Sequence, residues 1–318
     1  MARLLFVFLD GLGLGAADPA CNPLAGSWPG LRSVAGGDWT AAAWSGAESG
    51  GRVTAALDAR LGVEGLPQSA TGQTTLLTGR NAAQVMGRHY GPWPGPTLRS
   101  LLRRGSLFSD GVACGGSLLA NAYPARYLAA LGALDAPVAG ATTAPERRLR
   151  RHRPSAPVAA ALAAGLELSD LQAWAAGRAV AADLDAAGLA RLVEPVGWGA
   201  ERLGLQQQAR ALAALAGEHA FTFFDVWSAD RAGHRQDGAA ARAFLERLDA
   251  FLPILVAALP RDVTLLLTSD HGNLEDLGSP RHTLAPVPLL ALGPGAGSFA
   301  GATSLLDVAP AVRRVLAR

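Results

Sequence analysis

The chain opens with six consecutive apolar residues, Leu4 to Leu9, that stop abruptly at Asp10-Gly11-Leu12-Gly13. An apolar run without polar alternation fits a strand buried on both faces, as in parallel sheets, and the polar, glycine-bearing sequence behind it fits a loop at the strand's carboxyl end. The same pattern returns late in the chain. Phe221 to Trp227 runs into a loop at Asp230, Val263 to Thr268 into Asp270, and Val287 to Leu292 into Gly293-Pro294. Helical patterns lie between them; the longest, Ala239 to Leu259, contains Pro253, which is expected to kink or divide it. Thr97 to Arg104 reads as a further helix and Gly111 to Asn121 as a glycine-broken strand of the same sheet. Strands alternating with helices predict an α/β fold, a mostly parallel sheet sandwiched by helices.

Residues 123–198 read differently, rich in alanine and leucine at helical spacing and without a buried-strand pattern. Proline-bearing segments bracket them at Tyr123-Pro124 and Glu194-Pro195, plausible crossings between two units. The expected division is a catalytic core of residues 1–122 and 199–318 with a smaller inserted cap domain, 123–198, that selects the substrate. The arginine cluster Arg147, Arg148, Arg150, Arg151 and Arg153 reads first as a solvated helix face and second as an anion contact.

Composition narrows the function. With 318 residues, 50% hydrophobic and 17% charged, the chain can bury enough apolar surface to fold. A formal charge of +2 gives no field for sequence-independent binding of nucleic acid. There is no lysine, which excludes Schiff-base and phosphate-loop mechanisms. The cysteines are Cys21 and Cys114 alone, too few for a disulfide framework and suited to a reducing cytoplasm. Leu4 to Leu9 is too short for a secretory signal and Phe251 to Leu259 too short for a membrane helix, so a soluble, cytoplasmic protein without membrane contact is expected. Nothing in the sequence reports the oligomeric state.

Ligands of open α/β sheets bind where strand carboxyl ends meet. Here those ends carry Asp10, then Asp230 and His234 in D-R-A-G-H, then Asp270 and His271 in S-D-H-G-N, with His282 opening H-T-L-A-P-V-P. Singly, each reads as a cap, a turn residue or a satisfied histidine. Together, three aspartates and three histidines form a mixed donor set suited to zinc, manganese or iron, larger than one tetrahedral ion requires. The segment from Leu66 to Arg80 passes from a small-residue loop into a helix whose start would favour an anion beside a hydroxyl. Spacing alone does not separate Thr71, Thr74 and Thr75 as that hydroxyl.

In this order, L-D-G-L-G, L-P-Q-S-A-T-G-Q-T-T-L-L-T-G, D-R-A-G-H, S-D-H-G-N and H-T with P-V-P resemble the alkaline phosphatase superfamily. The nearest likeness is to its metalloenzyme branch, which contains cofactor-independent phosphoglycerate mutase and phosphopentomutase. The resemblance implies that Asp230, His234 and His282 hold one ion, that Asp10, Asp270 and His271 hold another, and that Thr74 bridges them and carries the phosphoryl group. It implies two divalent ions, manganese or zinc, and phosphoryl transfer or phosphoester hydrolysis on a small phosphorylated metabolite. Two alternatives stand beside this: a phosphomutase acting on a sugar phosphate or phosphoglycerate, and an inactive, metal-stabilised binding protein. The sequence also departs from the pattern. A G-V-H-S-H element is absent, with only Asp110 to Gly116 loosely similar; no lysine stands near the substrate phosphate, and Ala285 replaces the usual asparagine after H-T-x. Without C-x-P-x-R, sulfate-ester hydrolysis is disfavoured. Asn121, at the crossing into the cap, and Arg147 and Arg148 are candidate substrate contacts.

Overall fold

The computed structural model describes residues 2–44, 47–134, 153–190 and 204–318. Its strands are β1 (Arg3–Leu9), β2 (Ala47–Ser49), β3 (Arg52–Leu57), β4 (Ser117–Leu119), β5 (Phe221–Val226), β6 (Val263–Thr268) and β7 (Val287–Leu292). They form one sheet in the order β2-β3-β7-β6-β1-β5-β4. β1 is central and parallel to both β5 and β6, and β4 extends the parallel set beside β5. β7 runs antiparallel to β6, and β3 antiparallel to β7.

The sheet is mostly parallel because its central strands have no side facing water. Leu4, Phe6, Phe8, Phe221 and Phe223 enter one apolar cluster, and Leu5, Val7, Leu9, Phe224 and Val226 the other, the two-residue alternation of a pleated strand. Helices Ser69–Thr78, Leu107–Ala113, Ala156–Ala163 and Val308–Leu316 contribute to the first cluster; Pro29–Ala35, Leu205–Ala216 and Gly238–Ala258 contribute to the second. Phe223 sits at the centre of the first, its ring 4.8 Å from that of Phe6, 5.7 Å from Phe8 and 5.6 Å from Phe108.

The structure differs from the sequence expectation in three places. Gly111 to Asn121 is not one strand: Leu107–Ala113 is a helix, opened by a reciprocal Ser106–Ser109 capping box, and only Ser117–Leu119 joins the sheet. Pro253 does not divide its helix, which runs from Gly238 to Ala258. The missing proline N–H frees the carbonyl of Asp249, and Gly30 lies so close to it that an added Cβ would stand 2.0 Å from that oxygen. The β2–β3 hairpin was not foreseen, since β2 is exposed throughout and carries no apolar pattern.

Within 123–198 the described residues form helices and no strand. Isolated bridges join Asn121 to Val180 and Ala122 to Ser169, and Ala156, Val158, Ala160 and Ala161 belong to the cluster under the sheet. Among the described residues, no helix is long and apolar enough to cross a membrane. Replacing the buried Phe223 by alanine should lower the unfolding free energy by about 3–5 kcal/mol through lost burial and a residual cavity, read as a lower urea midpoint at unchanged slope.

Candidate metal centre

Each candidate ligand is carried to the same rim by a different local device. Asp10 follows β1, and its N–H donates to the carbonyl of Val226 at 2.9 Å, prolonging the β1–β5 ladder by one step. Gly11 then turns with φ +72° against Asp230; a Cβ there would lie 2.6 Å from the Cβ of Asp230, so the approach requires glycine. D-R-A-G-H is not a loop but the end of a short helix, Ser228–His234, which sets Asp230 and His234 one turn apart on one face. Asp270 and His271 follow β6 directly. His282 precedes its strand instead of following one, and reaches the rim because β7 is reversed, so that its start lies level with the ends of β1, β5 and β6.

The six residues converge as two triads, Asp230, His234 and His282, and Asp10, Asp270 and His271, each with its ligand atoms within 4.8 Å of one another. The triads abut: the rings of His271 and His282 stack at 3.7 Å with 16° between planes. His234 Nδ1 donates to the carbonyl of Pro280 at 2.8 Å and His282 Nδ1 to that of Pro67 at 2.7 Å, which turns both Nε2 atoms inward. Those Nε2 atoms stand 3.1 Å apart, two lone pairs that a shared cation reconciles. Asp10 Oδ1 and Asp270 Oδ1 are buried with no hydrogen-bond partner among the described residues. The donor set therefore fits divalent cations, with buried carboxylate oxygens and oriented imidazoles left over for them.

Supporting residues hold this geometry. Gln73 Nε2 donates to Asp10 Oδ2 at 3.3 Å and to Asp270 Oδ2 at 3.1 Å. Asn273, the last residue of D-H-G-N, donates to Asp230 Oδ1 at 2.8 Å. The carboxylate of Glu275 accepts from the N–H of Gly13 at 2.9 Å, from the N–H of Asn273 at 2.8 Å and from the hydroxyl of Thr283, tying together the three loops that bear Asp10, His271 and His282. The acidic and amide roles of Gln73, Asn273 and Glu275 went unassigned in the sequence, although S-A-T-G-Q places Ser69 and Gln73 one helical turn apart, a signal that was present.

That helix brings a hydroxyl other than the expected Thr74 to the ligand set. Ser69 is its first residue, and Ser69 Oγ lies 3.0 Å from His271 Nε2. Gly72 packs on Asp270, where a Cβ would stand 2.9 Å from Asp270 Cβ, and Gln73 reaches both aspartates. Thr74 lies about 100° round the helix from Gln73, and its hydroxyl is buried with no hydrogen-bond partner among the described residues. Thr71 and Thr75 spend their hydroxyls on the carbonyls of Gln68 and Thr71. Ser69 is thus the hydroxyl on this helix that meets the ligand set. Asn121, expected as a substrate contact, is buried, donates to the carbonyl of Asp225 at 2.7 Å and accepts from its N–H at 2.9 Å. Arg147 and Arg148 lie outside the described residues.

Electrostatics follow from burial of like charges. Burial, then the charges of Asp270, Asp230 and Asp225, push Asp10 well above the ordinary carboxylate range. Burial and then Asp230 bring Asp270 to about 7. Burial followed by His282 lowers His271 to about 3. Asp230, which burial alone would raise, is held at about 2 by hydrogen bonding to His282 and the charge of His271. A bound dication would offset the burial and the repulsion that raise Asp10 and Asp270.

Residues 202–316 match the family model described as Metalloenzyme superfamily. A 2,3-bisphosphoglycerate-independent phosphoglycerate mutase of Halobacterium salinarum is 40% identical over 96 residues, 27% of this chain and 19% of that protein. A phosphopentomutase of Shewanella oneidensis is 38% identical over 100 residues, 30% of this chain and 25% of that protein. The matched stretches thus span a quarter or less of these relatives' length. Among solved structures, the alkaline phosphatase from the Antarctic bacterium TAB5 superposes with TM-score 0.54 at 12% identity, over 100% of this chain and 99% of that one. A Pyrococcus horikoshii protein gives 0.53 at 13%, over 99% and 97%. The resemblance to the metalloenzyme branch of the alkaline phosphatase superfamily is borne out, and so is the expected α/β fold, while the similarity to a metalloenzyme family supports divalent metal ions.

Two outcomes follow. Glu275→Ala should weaken manganese binding by about 10- to 100-fold in calorimetric titration, because the loops bearing the ligands lose their common tie. A carboxyl raised in the folded state contributes stability at low pH that is lost as pH climbs through its folded value; Asp10 and Asp270 act this way, as does Asp225, brought to about 7 by burial and then Asp270. His271, lowered to about 3, opposes them but only below the ordinary imidazole value. Metal-free protein should therefore melt at a lower temperature at pH 8 than at pH 5, and excess manganese should reverse that order in scanning fluorimetry.

Proposed function

We propose that this protein is a two-metal phosphotransferase or phosphatase acting on a small phosphorylated metabolite, with Ser69 as the attacking hydroxyl. The observation that carries this reading is the placement of Ser69 Oγ 3.0 Å from His271 Nε2, at a helix start, beside two abutting aspartate–histidine triads. Asp10, Asp270 and His271 would hold one ion and Asp230, His234 and His282 the other, manganese or zinc by donor type. Two such ions would supply Lewis acidity, easing deprotonation of a hydroxyl and offsetting the negative charge that develops during displacement at phosphorus.

Ser69 Oγ loses its proton and bonds to phosphorus while the phosphorus–oxygen bond to the substrate's alcohol breaks, and the departing oxygen takes up a proton. Water, or a second hydroxyl, then takes the phosphoryl group from serine, releasing phosphate or a new ester. Backbone N–H groups of the first turn of Ser69–Thr78 face developing negative charge with the helix dipole behind them. Gln73 and Asn273 keep Asp10, Asp270 and Asp230 in place throughout. Residues 123–198 would serve as the cap that selects the substrate. The free thiols of Cys21 and Cys114 suit a reducing cytoplasm.

The matched segments of phosphoglycerate mutase and phosphopentomutase favour a second reading, return of the phosphoryl group to another position of the same molecule. Transfer of labelled phosphoryl without net release of phosphate distinguishes it. With manganese or zinc, Ser69→Ala should lower turnover of p-nitrophenyl phosphate by on the order of 10³-fold or more, whereas Thr74→Ala should stay within severalfold of wild type. Full activity of Ser69→Ala would overturn the assignment.

A further inference from the structure

A cavity of about 570 Å³ lies beside Asp10 and Gln73, with Trp93, Trp227, Asp225 and Tyr123 among the residues of its wall. Register explains why Asp225 is there. Phe8 pairs with Asp225 across the β1–β5 ladder, so Asp225 lies two residues beyond Phe223 on one strand as Asp10 lies two beyond Phe8 on its neighbour, and both leave the sheet on the same face. The backbone of Asp225 is clamped on both sides by Asn121, which fixes the side chain without using it.

Asp225 is 5% exposed, and its carboxylate makes no hydrogen bond or ion pair among the described residues. Tyr123 is 6% exposed, its ring stacked on that of Tyr127 at 5.2 Å, and its Oη is buried with no hydrogen-bond partner among the described residues. The two interact electrostatically, the charge of Asp225 raising the Tyr123 phenol after burial has done so. Buried polar groups normally find partners, and leaving two unmatched in one cavity wall is costly. An acceptor and a hydroxyl held rigidly beside a phosphoryl-transfer centre are matched by a ligand hydroxyl that donates to the carboxylate and accepts from the phenol.

We propose that this cavity receives the alcohol half of the substrate, and that Asp225 and Tyr123 determine specificity by hydrogen-bonding a free hydroxyl carried near the phosphoester. The preferred substrates are then phosphoesters of polyhydroxy alcohols, discriminated from esters of the same chain without the hydroxyl. This rests on the phosphoryl-transfer reading above. A site built to bond a substrate hydroxyl rejects the analogue lacking it, because the protein groups are left unpaired.

The test compares glycerol 3-phosphate with propyl phosphate on manganese-loaded protein. Wild type should favour glycerol 3-phosphate in kcat/KM by on the order of 10- to 100-fold. Asp225→Asn and Tyr123→Phe should each shrink that ratio at least fivefold; a merely structural role would depress both esters alike and leave the ratio standing. Tyr123→Phe removes only an atom without a protein partner, so its fold is secure. Binding gives a readout free of turnover: in Ser69→Ala protein, quenching of tryptophan fluorescence should report a weaker Kd for glycerol 3-phosphate once Tyr123→Phe is added, with the propyl phosphate value unmoved. Equal efficiency on both esters in wild type, or a ratio preserved in both variants, would overturn the pocket assignment while leaving phosphoryl transfer intact. Failure of wild type to turn over either ester would overturn both.

Discussion

Three aspartates converging within one buried rim, with no arginine paired to any of them among the described residues, is the constraint on which the rest of the structure depends. Among the described residues, what faces them besides one another is a further buried carboxyl, Asp225, and imidazoles, of which His271 is itself lowered by burial. Such an arrangement stores repulsion that water cannot screen and that a cation must relieve. The chain has no lysine to do so. The fold accepts a local electrostatic cost where its chemistry resides and recovers stability from two apolar layers on either side of the sheet.

The rim also explains why so many glycines surround it. Gly11 and Gly72 let Asp230 and Asp270 lie against neighbouring backbone at distances that a Cβ would forbid. Glu275 occupies the centre of the resulting loop cluster, its charge answered by N–H groups and a hydroxyl instead of by a cation. The short motifs are therefore structural units as much as lists of ligands. In D-H-G-N the first two residues face one triad, while the asparagine reaches across to orient an aspartate of the other.

Much of this was legible in the sequence. The central strands announced themselves because a strand buried on both faces has no polar position to interrupt its apolar run. The six candidate ligands were legible because each stands within a few residues of the end or start of such a strand. What was not legible depended on direction and phase. The reversal of β7 leaves no mark on V-P-L-L-A-L, and β2 is too exposed to show a pattern. The contact of Ser69 with His271 is not legible because sequence does not fix the helix start to within a turn, and the five residues between Ser69 and Thr74 rotate a side chain to another side of the helix. Nor does the position of Asn121 at the crossing reveal that its amide holds the backbone of Asp225.

The reversed strand has a consequence for how the centre is supplied. A parallel neighbour for β6 would need a crossover of a dozen or more residues, usually spent on a helix packed over the sheet. Because β7 simply returns, the whole connection from Ser269 to Pro286 stays at the rim and donates Asp270, His271 and His282. Half of the six candidate ligands thus share one uninterrupted ribbon, which contributes to both triads and so ties their spacing to a single stretch of chain.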